Sequence, residues 1–244
     1  MLSFVVPAHN ESQLIEGTVR RLHEAGASSG VSYEVVVVDD ASTDDTAALA
    51  VRAGACVVPV TVRHIAAARN AGARAARGEH LLFVDADTWL PGETARAALA
   101  AMRGGAAGGG ARVRFDAPVP RYARPGVAAT LGVFRLFNMT VGCFMFCTRD
   151  AFDRIGGFDE RLFAAEEVAF SLAIKRVGRL VLVEPAVVTS ARKFRTHSLG
   201  ELARMGLGTL NVGRALRSRQ RLGLWYGERR RDPGPQVPEK DAGT

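Results

Sequence analysis

The first hundred residues alternate between solid apolar runs and stretches where apolar positions recur every three or four residues. LSFVVP (2–7), YEVVVVDD (33–40), the weaker CVVPV (56–60) and EHLLFVDAD (79–87) read as short buried strands rich in Val, Leu and Phe. Between them, NESQLIEGTVRRLHEAG (10–26) sets Leu14, Ile15, Val19 and Leu22 on one helical face, with Asn10 as the expected N-cap and Gln13 three residues on. Ser42-Thr43-Asp44-Asp45 reads as a capping box that opens a second helix, closed at Gly54. HIAAARNAGARAARG (64–78) is a small-residue helix ending at Gly78. PGETARAALAAMRGG (91–105) begins with Pro91 near its first turn, where a missing N–H costs nothing.

This β-α-β-α-β-α-β rhythm predicts a parallel sheet covered by helices on both faces. Ligands of such sheets bind beyond the carboxyl ends of the strands. Three of the four runs end in polar sequence there: PAHNE, DDASTD and DADT. The second half is less regular. GGAAGGGARVRF (104–115) lacks the spacing of a phosphate-binding glycine loop and reads as a strand whose small residues let another backbone approach closely. GCFMFCTRDAF (142–152) is a strand running into a helix, and GGFDERLFAAEEVAFSLAIKRVG (156–178) is a turn followed by an amphipathic helix. RLVLVEPAVVTSARKF (179–194) reads as two short strands around Pro185, residues 201–228 as a basic helical segment, and 229–244 as a disordered, proline-rich tail.

Composition narrows this picture a little. The chain has 244 residues, 48% hydrophobic and 23% charged, an ordinary globular balance for one large domain or two fused lobes. Its net charge of +7 favours anionic partners such as phosphates or acidic lipid surfaces. Aromatics total 7% and no reader motif interleaves them with basic residues, so nucleic acid is not an expected partner. Cys56, Cys143 and Cys147 form no CxxC pair and are read as reduced core thiols of a cytosolic protein. The start, MLSFVVPAHNES, has neither the basic region nor the long apolar stretch of a signal peptide, and Arg135 and Asn138 interrupt the longest apolar run, 126–147. A cytoplasmic location is expected.

The chemistry begins with Asp85 and Asp87, two carboxylates at the end of a buried strand. They fit either a solvated capping loop or a site for a hard divalent cation, which usually takes one or two carboxylates plus substrate phosphates. Asp39 and Asp40, at the end of the second strand, suit a base N–H or a ribose hydroxyl.

VVPAHNES, VVVVDDASTDDT, AAARNAGARAARGEHLLFVDADT, GCFMFCTRDAFDRIGGFDERLF and AEEVAFSLAIKRVG occur in an order and spacing that resembles glycosyltransferase family 2 over residues 2–200. The resemblance implies a GT-A fold: an α/β, Rossmann-like, mostly parallel sheet with helices on both faces and a smaller acceptor-side lobe. Residues 1–112 would be the nucleotide-sugar half, and 113–200 the acceptor and catalytic half. By this resemblance Pro7, Ala8 and Glu11 line the nucleoside pocket, and Asp40 binds the base with Asp39 beside it. Arg69 lies near the diphosphate, Asp85 meets the ribose or sugar, and Asp87 holds Mn²⁺ or Mg²⁺ with His197. Arg192 and Lys193 help neutralise the leaving diphosphate. The family's Glu-Asp pair is Glu166-Glu167 here. Glu167 is the first choice for the base that deprotonates the acceptor, and Glu166 the second.

The donor would be a UDP- or GDP-sugar, and the acceptor a hydroxyl that the residues do not identify. The apolar and basic stretches 117–141 and 216–231 allow a lipid-linked acceptor and peripheral contact with the inner face of a membrane, or simply a packed lobe and a solvated tail. Two other readings stay open: a retaining transferase that needs no base, and a non-catalytic nucleotide-sugar-binding protein.

Overall fold

The computed structural model describes residues 1–192 and 196. Lys193, His197, the basic segment 201–228 and the tail 229–244 lie outside the described residues. The strands are β1 (Leu2–Ala8), β2 (Tyr33–Asp40), β3 (Cys56–Val60), β4 (His80–Val84), β5 (Thr88–Trp89), β6 (Ala106–Phe115), β7 (Phe144–Thr148) and β8 (Arg179–Thr189). They form one sheet in the order β3-β2-β1-β4-β7-β6-β8-β5. β1 runs parallel to β2 and β4, and β2 to β3, so the carboxyl ends of these strands open on one edge. β7 is antiparallel to both β4 and β6, which brings its amino end to that same edge.

Alternation along the strands feeds two cores. Phe4, Val6, Val35, Val37, Leu82, Val84, Phe144 and Phe146 face one side. They pack on α1 (Ile15–Ala27) and α4 (Gly92–Arg103), with Ala50 of the short α2 (Thr46–Arg52). Val5, Val36, Val38, Leu81, Phe83 and Met145 face the other side. They meet α3 (Ile65–Ala75), α6 (Arg149–Ile155) and α7 (Glu166–Val177). Each such Val, Leu or Phe contributes about 1.5–3 kcal/mol by leaving water.

Several local expectations give way to longer-range bonds. α1 starts at Ile15 without a side-chain cap. Asn10 instead adopts a left-handed φ of 53° and accepts from the Thr43 N–H at 2.8 Å, tying the first loop to the second. α2 likewise lacks the expected capping box, because Asp44 accepts locally from the Thr46 N–H and Ser42 accepts from the Asn10 N–H. α3 ends at Ala75, before Gly78, whose amide donates to Ser3 Oγ. Cys56 is exposed on the edge strand rather than in the core, whereas Cys143 and Cys147 are buried free thiols. The 179–189 stretch is one strand, since Pro185 falls where the β6–β8 register slips between Ala111/Val183 and Val113/Val187 and no ladder N–H is needed. The apolar run 126–147 divides between α5 (Arg124–Leu136) and β7, turning at Asn138 with φ 47°. No helix among the described residues is long and apolar enough to cross a membrane. The 112/113 division falls inside β6.

The glycine-rich strand does permit close approach. A Cβ on Gly109 would sit 1.8 Å from the Val181 carbonyl oxygen and 2.6 Å from Phe146. Gly109→Ala should therefore cost about 3 kcal/mol, at the upper end of overpacking effects. Gly17→Ala, in α1 with nothing within 4 Å, should instead stabilise by about 0.5–1 kcal/mol. Urea denaturation of both variants checks the contrast, and equal effects would contradict it.

Candidate active site

The loop after β4 is held from three directions. The Asp85 N–H donates to the Cys143 carbonyl at 3.1 Å, the Thr88 N–H to the Asp85 carbonyl at 3.0 Å, and Thr18 Oγ1 of α1 to the Ala86 carbonyl at 2.7 Å. The Ser190 N–H closes the far side on the Asp87 carbonyl. Both acids therefore stand at the parallel edge on a fixed turn, with side chains 28% (Asp85) and 17% (Asp87) exposed.

Arg69 sits beneath them. Ala66, Ala67, Ala68, Gly72 and Ala73 are buried on α3, and a Cβ on Gly72 would come within 2.4 Å of Val5. These small residues let the helix lie close to the sheet and carry Arg69 inward, where it is 1% exposed. Its guanidinium donates to Asp85 Oδ1 at 2.9 Å, Glu166 Oε1 at 2.9 Å and the Gly142 carbonyl at 2.8 Å. Phe158 lies against it, 5.4 Å from ring centroid to guanidinium carbon. Burial favours losing the proton, but Asp85 and Glu166 outweigh that and raise the arginine's pKa. Arg69 is the buried hub of the acidic cluster.

Arg192 makes the second hub. It pairs with both oxygens of Glu11, at 2.9 and 3.0 Å, and reaches Asp87 Oδ2 at 3.3 Å. Glu11, 2% exposed, thus orients an arginine. Pro7 and Ala8 end β1, with Ala8 in register with Asp39. Asp40 accepts from the Arg63 N–H at 2.7 Å and the His64 N–H at 2.9 Å, which fixes the β3–α3 connection. Asp39 keeps one buried oxygen without a hydrogen-bond partner.

Glu166 and Glu167 open α7 behind Ala165, a non-glycine residue at φ 60°. The helix dipole favours both charges, yet their surroundings differ. Glu166 is buried and held by Arg69, while the Glu167 carboxyl lies 3.8 Å from where a Gly142 Cβ would stand. Burial first, then the Glu166 charge, pushes the Glu167 pKa up to about 8. Its backbone is held firmly, since the carbonyl accepts from Ser171 Oγ at 2.8 Å.

One contributor had no sequence signal beyond its place next to Arg69. Asn70 donates to the Phe158 carbonyl and Glu160 Oε1 and accepts from the Phe158 N–H, so α3 pins the loop that leads into α7. Pairing across 88 residues cannot be read from spacing.

Among the described residues, no three His, Cys, Asp or Glu side chains cluster as a metal site. Mg²⁺ or Mn²⁺ needs only one or two protein carboxylates when a diphosphate supplies the rest. Asp87, an oxygen donor at the ligand edge that already lies beside the Arg192 cation, fits that demand.

A mostly parallel sheet with acids gathered at its carboxyl edge is the arrangement of the GT-A fold, and solved structures agree. The mannosyltransferase PcManGT of Pyrobaculum calidifontis, solved with GDP-Man and Mn²⁺, superposes with a TM-score of 0.63 at 23% identity, covering 88% of this chain and 62% of that one. The family model "Glycosyl transferase family 2" matches residues 3–156, and the chain belongs to that family. The chain is 43% identical over 94 residues to the succinoglycan biosynthesis protein ExoO of Rhizobium meliloti (strain 1021), covering 35% of this chain and 25% of that protein. It is 36% identical over 102 residues to the undecaprenyl-phosphate 4-deoxy-4-formamido-L-arabinose transferase of Pseudomonas paraeruginosa, covering 38% of this chain and 30% of that protein. The matched part is thus about a third or less of these relatives' length.

Proposed function

We propose that the chain transfers a sugar from a nucleoside diphosphate donor to a hydroxyl acceptor with inversion, using Glu167 as the base. The observation that carries this reading is the division of labour among the acids. Arg69 and Arg192 engage Asp85, Glu166, Glu11 and Asp87, leaving Glu167 as a carboxyl outside these ion pairs, with a pKa brought near working pH. The acceptor oxygen attacks the anomeric carbon as its proton passes to Glu167. The bond from that carbon to the diphosphate oxygen breaks on the opposite side, and the leaving group departs as the nucleoside diphosphate.

Asp39 and the remaining lone pairs of Asp40 would take the N–H of the base, and Asp85 a sugar or ribose hydroxyl. Asp87 would hold Mn²⁺ or Mg²⁺, with His197 as the further ligand expected from sequence; such an ion offsets charge on the diphosphate. Arg192 and Lys193 would add to that compensation. The undecaprenyl-phosphate relative supports a lipid-linked acceptor.

The test is thermal. UDP or GDP with Mn²⁺ at a hundred times Kd should stabilise by about 2.7 kcal/mol, and Asp87→Ala should abolish the metal-dependent part. No stabilisation by any nucleoside diphosphate would overturn the reading. Hydrolysis of a panel of sugar nucleotides then identifies the donor.

A further inference from the structure

We infer that α5 is a docking helix that lies in the interface of an anionic bilayer. None of its side chains is buried. Ala123, Val127, Leu131 and Phe134 are half-buried and recur at helical spacing, so this stripe leans toward the sheet. Beneath it lies a cavity of about 240 Å³ lined by residues that include Leu131, Phe134, Met139 and Leu182. The opposite face, with Gly126, Ala129, Val133 and Leu136, is exposed and carries no charge at all. Leu136 is 79% exposed, and Phe137 and Val133 are more than half exposed. A helix apolar on both faces belongs against an apolar partner, because water gains nothing from either side.

Charge decides which partner. No acidic residue occurs between Asp116 and Asp150, whereas Arg121, Arg124 and Arg135 are all exposed. Arg124 and Arg135 are three helical turns apart, on one edge of α5 and about 16 Å from each other along its axis. Lys175 adds a further cation, donating to the Phe137 carbonyl at the end of the helix. Glu184, beside the cavity, is paired with Arg112 at 2.9 Å. An uncharged face bounded by arginines fits acyl chains below and lipid phosphates alongside. The chain's own stretch LRSRQRLGLWYGERRR (216–231) is basic, and a second copy would bring the same arginines, so like charges oppose both as covers.

This surface is independent of the transferase reading, because vesicle binding and nucleotide stabilisation are measured separately. The full chain should sediment with phosphatidylglycerol-containing vesicles at low salt, and not with phosphatidylcholine vesicles. The double variant Leu136→Ser/Phe137→Ser should keep its Tm and its stabilisation by UDP or GDP while binding the anionic vesicles about tenfold more weakly. Arg124→Glu/Arg135→Glu should lose binding similarly. Failure of the parent chain to sediment overturns the proposal. So does parent-like binding by both variants, which would assign the contact to the basic C-terminal sequence. A dimer seen by light scattering and abolished by the serine variant would also overturn it, making a second copy the occupant.

Discussion

Arg69→Met is expected to lower stability by about 3–5 kcal/mol, because removing one partner leaves buried charge uncompensated. For a chain of this size that is a fall of roughly 6–20 °C in Tm. The side chain is 1% exposed and joins Asp85, Glu166 and the Gly142 carbonyl, acceptors from three separate segments. Arg69→Lys keeps the charge, but a single ammonium cannot reproduce the guanidinium fork, so it should recover less than half of the loss. Adding Glu166→Gln to Arg69→Met should restore part of the stability, since it neutralises one stranded acid. A loss below about 1 kcal/mol for Arg69→Met, or no recovery in the double variant, would show that these carboxylates do not depend on Arg69.

Glu167→Gln should separate catalysis from stability. Turnover should fall by about 10²–10⁴-fold, the range of a general base. Stability should move the other way, and the sign follows from linkage. The folded-state pKa of Glu167 is raised from 4.5 to about 8, so below the lower value both folded and unfolded chains hold the proton. As pH climbs between the two values, the unfolded chain releases its proton while the folded one retains it, and stability declines. Glutamine removes that decline. The variant should therefore match the parent near pH 4 and exceed it at pH 9 by at least about 1 kcal/mol, or about 2–4 °C. For the parent, log kcat/KM should rise with pH to a limb near 8. Glu166→Gln should instead lose stability at pH 7, because it gives up an ion pair with Arg69. If both glutamine variants lose stability equally, or if NMR of the product shows a retained anomeric centre, Glu167 is not the inverting base.

The sheet was legible where burial is two-sided. YEVVVVDD and LSFVVP match β2 and β1 closely because a strand between two helical layers must be apolar at every position. Asp85, Asp87, Glu166 and Glu167 were also visible, since their places at a strand end and a helix start are local facts. What could not be read was partnership. Arg192 and Glu11 meet across 181 residues, and nothing in either neighbourhood announces the other. Asn10 looked like a helix cap because Asn commonly serves there, but its better partner was an amide in the next loop. Pro185 suggested a break between strands, and only the pairing with β6 shows a slip in register that leaves its missing N–H without consequence.

The single sheet also limits how this protein can respond to its substrates. β6 spans the junction between the proposed donor and acceptor halves, and β7 is hydrogen-bonded between it and β4. A hinge between the halves would have to break those ladders, at a cost no ligand readily offsets. Substrate-induced motion must therefore be local, confined to connections off the sheet such as 117–123 and to side chains such as Arg192. Gating of turnover should then follow loop timescales, with viscosity and loop substitutions changing kcat while the radius of gyration stays constant on ligand binding.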